Sequence, residues 1–189
     1  PLYEDIDDKP VILPPPYKND DWPQPGGYAS QAMYHLSISE NIEQRWSESI
    51  GKSGNKIEKI LSTPIIYKDI IYALDASSNI TALNAVTGDL LWRKKIKPSA
   101  QQDFEGRGGG ISSENGIVIV ANGYGMVAAF NGDDGQNLWS MDFNIPFRVA
   151  PTIWGGRVFV ISQSNRLYCL HIADGSILWT YQASSADAE

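Results

Sequence analysis

Few side chains in this 189-residue chain have the type and spacing for chemistry. There is one cysteine, Cys169, and the two histidines, His35 and His171, lie in separate regions. A single cysteine excludes an intrachain disulfide and any metal site built from several cysteines. No serine, histidine and aspartate have the spacing of a catalytic triad, and the histidines form no metal-binding pair. The reactive residue types therefore predict no catalytic residue, no cofactor and no metal site.

Other motifs with possible chemistry also have simpler explanations. The segment 131–135, Asn-Gly-Asp-Asp-Gly, resembles a calcium loop but lacks the downstream glutamate, so we expect a hairpin turn. The glycine-rich segments 106–110 and 123–125 precede predicted strands, whereas a phosphate-binding loop precedes a helix. A formal charge of −7, with no basic cluster larger than Arg93–Lys95, argues against nucleic-acid binding. No apolar run approaches the roughly 18 residues of a membrane helix.

The tryptophans belong to a repeat. Three of them follow a glycine by four positions, and the pairs are Gly88 and Trp92, Gly135 and Trp139, and Gly175 and Trp179. Each pair ends a longer unit, and the units align without gaps over residues 63–92, 110–139 and 150–179. This period predicts packing of the indoles in a core. Cys169 aligns with Ala82 and Ala129, so we expect it to pack there as a small hydrophobic residue.

Each unit contains four short runs of strand type separated by turn residues. The middle runs, such as 118–121 and 127–130, are continuously apolar, which is typical of strands buried on both faces. A four-stranded sheet that is apolar on both faces must stack on its neighbours, and radial stacking gives a β-propeller. We predict an all-β fold with blades at 62–97, 109–143 and 149–182, as part of a ring of seven or eight blades.

The two ends of the repeat region carry further predictions. Trp46 lies 46 residues before Trp92, close to one blade length, but no complete unit precedes it. We predict a strand at 44–50 that closes the ring, and a tail at 183–189 that enters a missing blade. The sequence begins without methionine, so we expect a targeting segment to have been removed.

Residues 1–43 form a proline-rich, acidic arm by composition. Seven of the eleven prolines lie within residues 1–27. We expect this stretch to be extended, polyproline-like and unpaired, since proline lacks a backbone donor. It could be a spacer, or a tether that holds the domain away from a membrane anchor. Trp22, Tyr28 and Met33 could dock its end on the domain.

The repeat resembles the quinoprotein (PQQ-type) family. Residues 85–92 fit its Ala-x-x-Gly-x-x-x-Trp motif throughout, and the other two copies keep the glycine and the tryptophan. The resemblance covers roughly residues 44–182 and implies that each indole docks against the neighbouring blade. Segments 22–27, 106–110 and 146–152 are most similar to the BamB family of outer-membrane β-barrel assembly lipoproteins, in its alphaproteobacterial form.

The BamB resemblance implies a non-enzymatic periplasmic scaffold on the outer membrane. It implies an N-terminal lipid anchor, and it implies the periplasmic domains of BamA and nascent outer-membrane proteins as partners. Two alternatives remain: a fragment of a periplasmic PQQ-dependent dehydrogenase, or a ligand-sensing propeller domain. The dehydrogenases often place adjacent cysteines over the quinone, which a chain with one cysteine cannot do.

Arg107 and Arg148 are candidate partner-binding residues. Both stand just before the first strand of their blades, which predicts a position near one face of the central opening. A salt bridge or a solvated loop is the simpler explanation for them; the alternative is a contact with an acidic partner surface. Trp154 breaks the period, aligns with Tyr67 and Glu114, and is a candidate exposed binding residue. Open outer blade faces predict self-association, or missing blades on another chain.

Overall fold

The computed structural model of the protein describes residues 12–52, 62–96 and 108–183, and its strands build three four-stranded antiparallel sheets. Blade 1 contains β1 (Ile65–Tyr67), β2 (Ile70–Leu74), β3 (Asn79–Asn84) and β4 (Leu90–Lys95). Blade 2 contains β5 (Gly109–Glu114), β6 (Ile117–Asn122), β7 (Met126–Asn131) and β8 (Asn137–Asp142). Blade 3 contains β9 (Thr152–Trp154), β10 (Arg157–Ile161), β11 (Arg166–His171) and β12 (Ile177–Gln182). The predicted all-β fold with three four-stranded blades is confirmed.

Each blade is a meander in which neighbouring strands are consecutive in sequence. The turn between the second and third strands uses a side-chain acceptor at one repeat position. In blade 1 an Asp75 oxygen accepts the N–H groups two and four residues later at 2.9 and 2.8 Å. In blade 2 Asn122 does the same at 3.1 and 3.0 Å. The polar residue is there because a tight turn leaves backbone donors that no strand can satisfy.

Strand β6 of blade 2 shows why the middle runs of each unit are apolar throughout. Val118 and Val120 pack into the core shared with blade 1. The alternating residues Ile119 and Ala121 pack into the core shared with blade 3. Because successive side chains of a strand point to opposite faces, a sheet between two others has no polar face.

The strand predicted at 44–50 is not formed as part of a sheet. A strand needs a hydrogen-bonded partner. As the outer strand of a blade, 44–50 would pair with the third strand of that blade, and the described residues contain no such strand beside it. Side-chain contacts hold the segment on blade 1 instead. The Thr81 hydroxyl donates to the Ile50 carbonyl at 2.7 Å, and the Lys52 N–H donates to Asp75 at 3.0 Å.

The expectation of an unpaired arm is wrong for the part around Trp22. Trp22 and Ile66 exchange backbone hydrogen bonds of 2.7 and 2.9 Å, and the Pro23 carbonyl accepts the Ser113 N–H at 2.8 Å. The first strand of each blade is an edge strand with free backbone groups, and these attract the arm. A proline can still accept through its carbonyl. Residues 1–11 and 184–189 lie outside the described residues.

Candidate functional site at the inner edges of the blades

Tryptophans join successive blades by docking on a glycine turn of the next one. The pairs are Trp46 on Gly88, Trp92 on Gly135, and Trp139 on Gly175. A Cβ atom at these glycines would lie 2.8, 2.6 and 2.7 Å from the respective indole. The glycines also have φ of +82°, +69° and +75°. Both the close approach and the left-handed backbone require a residue without a side chain.

A hydrogen bond fixes each docked indole. The ring N–H donates to the carbonyl of the residue three positions before the glycine, which is Ala85 (3.1 Å), Gly132 (2.7 Å) or Ile172 (2.8 Å). These residues occupy the alanine position of the repeat motif. Because the acceptor is a backbone carbonyl, the side chain can vary without loss of the contact. This explains how the second and third copies depart from alanine at that position.

Trp179 occupies the same position in the last blade but has no following blade among the described residues. It is 44% exposed, whereas Trp92 and Trp139 are 7% and 8% exposed. Its ring lies 6.0 Å from that of Phe159 in its own blade. Blade 3 therefore presents an indole of docking type on an open face.

Arg148 lies on an anchored loop before β9. The neighbouring Phe147 is fully buried, and its N–H donates to the Asn122 carbonyl at 3.1 Å. The Arg148 side chain is exposed, and its guanidinium donates to the Gln163 side chain at 2.8 Å. The loop thus presents a cation at the end of the inner strands where β9 begins.

Arg107, the other predicted basic residue, lies outside the described residues. Its neighbour Gly108 is described, and a Cβ there would lie 2.9 Å from the Arg148 Cα atom. Residue 108 therefore lies against the loop that carries Arg148, and the position of Arg107 near the same face stays a prediction.

Three consecutive arm residues bind one repeat position in all three blades. Trp22 pairs with Ile66 and Pro23 accepts from Ser113, as described above. The Gln24 side chain accepts the Ile153 N–H at 2.9 Å and donates to its carbonyl at 2.8 Å. Ile66, Ser113 and Ile153 are equivalent in the aligned units. The arm thus joins the inner edges of the blades.

A cavity of about 350 Å³ lies beside this junction, and we call it the inner cavity. Its walls include the next repeat position in each blade, which is Tyr67, Glu114 and Trp154. Pro23, Gln24 and Tyr28 of the arm also line it. Sequence reasoning singled out Trp154 but missed Glu114 and Gln24. The signal for Glu114 was its alignment with Trp154, and the signal for Gln24 was its place in the segment 22–27.

Cys169 and His171, the described residues of reactive type in the blades, lie in environments that do not favour catalysis. Cys169 is fully buried, and burial raises the pKa of its thiol despite the nearby charge of Arg157. Such a thiol is a poor nucleophile. His171 lies 3.4 Å from Asp174 at an exposed turn. Within the described ranges, no three His, Cys, Asp or Glu side chains are grouped to hold a metal ion. A search of those ranges also found no helix with the length and apolar character to span a membrane.

The stacked four-stranded sheets and the tryptophan-on-glycine contact define a class: these are blades of a β-propeller with quinoprotein-type repeats. A family model described as outer membrane protein assembly factor BamB matches residues 31–107 and 76–189. The chain belongs to this family.

A curated relative supports the same family. The outer membrane protein assembly factor BamB of Escherichia coli (strain K12) is 28% identical over 146 residues, which are 76% of this chain and 35% of that protein. The chain spans about a third of the length of the curated relatives it matches.

Solved structures show the same fold. BamB from Moraxella catarrhalis superposes with a TM-score of 0.55 at 18% identity, over 67% of this chain and 36% of that one. A quinohemoprotein alcohol dehydrogenase from Comamonas testosteroni gives 0.72 at 18% identity, over 87% and 27%. Identities this low establish the fold and leave the function to other observations.

Proposed function

We propose that this protein is a non-enzymatic scaffold of outer-membrane protein assembly. The match of the BamB family model to both the N-terminal and the C-terminal part of the chain carries this proposal. The scaffold would work at the periplasmic face of the outer membrane, held by an N-terminal lipid. Its partners would be the periplasmic domains of BamA and nascent outer-membrane proteins.

The chemistry of the side chains supports a scaffold over a dehydrogenase. The one cysteine is buried, and the repeated tryptophans Trp92 and Trp139 pack between blades. The dehydrogenase alternative has a direct test, which is addition of pyrroloquinoline quinone and calcium to the full-length protein. A stoichiometric bound chromophore would contradict the scaffold proposal.

The sensing-domain alternative is tested by the gene sequence upstream of residue 1. The scaffold proposal expects a signal peptide that ends in a lipidation cysteine. A kinase domain there would identify a sensor instead.

The scaffold proposal is tested by capture of the purified periplasmic domains of BamA from the same organism. We expect saturable binding that weakens as salt rises, because Arg107 and Arg148 would contact an acidic surface. The double variant R107A/R148A should bind about fivefold more weakly, which is the effect of losing about 1 kcal/mol of ion pairing. R157A, at the start of β10 and away from the loop of Arg148, removes a matched exposed arginine and should bind normally. Absence of capture would contradict the proposal that BamA is a partner. Equal binding by R107A/R148A and the parent chain would show that these arginines do not contribute to the contact.

A further inference from the structure

The inner cavity contains two aromatic rings and one carboxylate at equivalent positions of the three blades. Tyr67, Glu114 and Trp154 each follow the residue that binds the arm. Trp154 is 66% exposed, so its ring is accessible from solvent. Tyr28 of the arm adds a third ring to the lining. This exposed aromatic wall with a single acid contrasts with the repeated indoles Trp92 and Trp139, which are docked between blades.

Glu114 is held in place but its charge is not neutralised. One of its oxygens accepts the Gly156 N–H at 2.9 Å, which ties blade 2 to the turn between β9 and β10. No lysine, arginine or histidine of the described residues forms an ion pair with it. A partly buried carboxylate without a cation favours a positively charged guest.

Ser113 places a buried hydroxyl beside the inner cavity. It lines the inner cavity and is 1% exposed. Its hydroxyl has no hydrogen-bond partner within the described part of the chain. A buried polar group without a partner is costly, so such groups in folded proteins are usually satisfied by a water or a ligand. The equivalent residues of blades 1 and 3 are isoleucines, so the hydroxyl is not a requirement of the repeat.

A cation already lies against one of these rings. The Lys68 ammonium is 5.3 Å from the centre of the Tyr67 ring, although Lys68 is not part of the cavity lining. Aromatic faces attract cations through the ring quadrupole, and tryptophan does so most strongly. Trp154 and Glu114 therefore combine the two features that bind a guanidinium: a flat π surface and a carboxylate.

We propose that the inner cavity binds an arginine side chain presented by a partner polypeptide. The guanidinium would stack on Trp154 and pair with Glu114. The cavity volume is at the lower end for ligand sites, which suits a single long side chain. The net charge of −7 adds a general attraction for a basic segment. This proposal concerns the chemistry of the cavity and holds whether or not the partner belongs to outer-membrane assembly.

The test is a titration of the full ¹⁵N-labelled chain with acetyl-Gly-Arg-Gly-amide, followed by NMR at low ionic strength. The readouts are the Trp154 indole N–H, assigned by its absence in W154A, and the Gly156 amide. We expect saturable shifts with a dissociation constant in the range of about 1–10 mM, as for one partly solvated side chain. The same peptide with citrulline, which keeps the shape and removes the charge, should bind at least about fivefold more weakly.

Two charge-matched variants locate the effect. E114Q keeps an oxygen acceptor for Gly156 and should weaken arginine binding at least about fivefold. E43Q removes an exposed carboxylate outside the cavity and should bind as the parent chain does. Spectra of both free variants show whether the fold is kept. Shifts that do not saturate, equal binding of citrulline, or equal weakening by E43Q would each overturn the proposal.

Discussion

The two outer faces of the blade stack have the same origin but different surroundings. On the open side of blade 1, Ala73, Thr81 and Leu83 are almost fully buried. On the open side of blade 3, Trp179 and Tyr181 are 44% and 62% exposed. The two faces are opposite sides of the repeat, and they also differ in what covers them.

A short segment covers blade 1. Trp46 docks on Gly88, and the Ser49 and Ile50 carbonyls accept hydrogen bonds from Arg93 and Thr81. One indole and a few backbone groups thus replace a preceding blade on this face. This is possible because the docking position consists of a glycine and a backbone carbonyl, so an indole ring alone can make both contacts.

Removal of an indole should give the largest difference in stability between a closed blade contact and the open face of blade 3. Trp139→Ala should lower the free energy of unfolding by about 3–5 kcal/mol, since it opens a cavity between two blades. Trp179→Ala should cost under about 1 kcal/mol, because that ring is half exposed and no blade of the described residues packs on it. Chemical denaturation measures both. Equal losses would show that the open end is covered in solution.

Filling the docking position of Trp46 tests the cover on blade 1. Gly88→Ala should cost about 2–4 kcal/mol, from left-handed backbone strain plus a collision with the indole. Gly116→Ala is the control, since its φ is +81° and a Cβ there would meet nothing within 4 Å. It should cost only about 1–2 kcal/mol.

The two glycine variants are compared by thermal or chemical unfolding. In the Trp46→Ala background the excess cost of Gly88→Ala should largely disappear, because coupled residues are not additive. A cost of Gly88→Ala that is the same in both backgrounds would argue against the Trp46 contact.

The open face of blade 3 should drive self-association. Ile161 and Tyr181 are exposed on it, and lysines there should weaken association about tenfold through lost apolar contact and charge repulsion. Sedimentation velocity over a range of concentrations gives the association constant. V86K/L90K, which places two lysines at exposed apolar residues of blade 1, is the matched control. A parent chain that stays monomeric would contradict this prediction.

The smallest effect is expected at Asp75, which ties residue 52 to blade 1. Burial alone would raise the pKa of Asp75, but hydrogen bonds from Asn79, Lys52 and Ser77 together hold it below the ordinary value of 3.8. A carboxyl with a lowered folded pKa stabilises the protein above the unfolded pKa, and this contribution is lost as pH falls through the folded pKa.

Asp75→Asn should therefore cost about 1 kcal/mol at pH 7 and reduce the loss of stability between about pH 5 and pH 3. Urea denaturation at several pH values measures this. Asp133→Asn, which removes a carboxylate at an exposed turn, is the charge-matched control. A profile that is the same for Asp75→Asn and the parent would refute the contribution.

Much of the fold could be predicted because the repeat carries it locally. Consecutive apolar residues such as Val118 and Ile119 indicate two buried faces, and the spacing of Gly135 and Trp139 indicates a blade. The candidate site was harder to predict from the sequence. Glu114 and Ser113 are ordinary polar residues in sequence, and they acquire a role only when three strand ends meet at one edge.

The arm shows the same limit. Its prolines predicted an extended chain, and Trp22, Tyr28 and Met33 indicated only that its end could dock on the domain. The hydrogen bonds between Gln24 and Ile153 join residues 129 positions apart, and no local pattern encodes such a pair.

The sequence by itself determined the four strands of each blade and the glycine turn that precedes each tryptophan, because strand burial and a left-handed turn are local properties. Only the tertiary structure decided which glycine each tryptophan contacts, which outer face is covered, and that the arm joins all three inner edges. These depend on unpaired edge groups and empty docking positions, and such features exist only once the sheets have stacked.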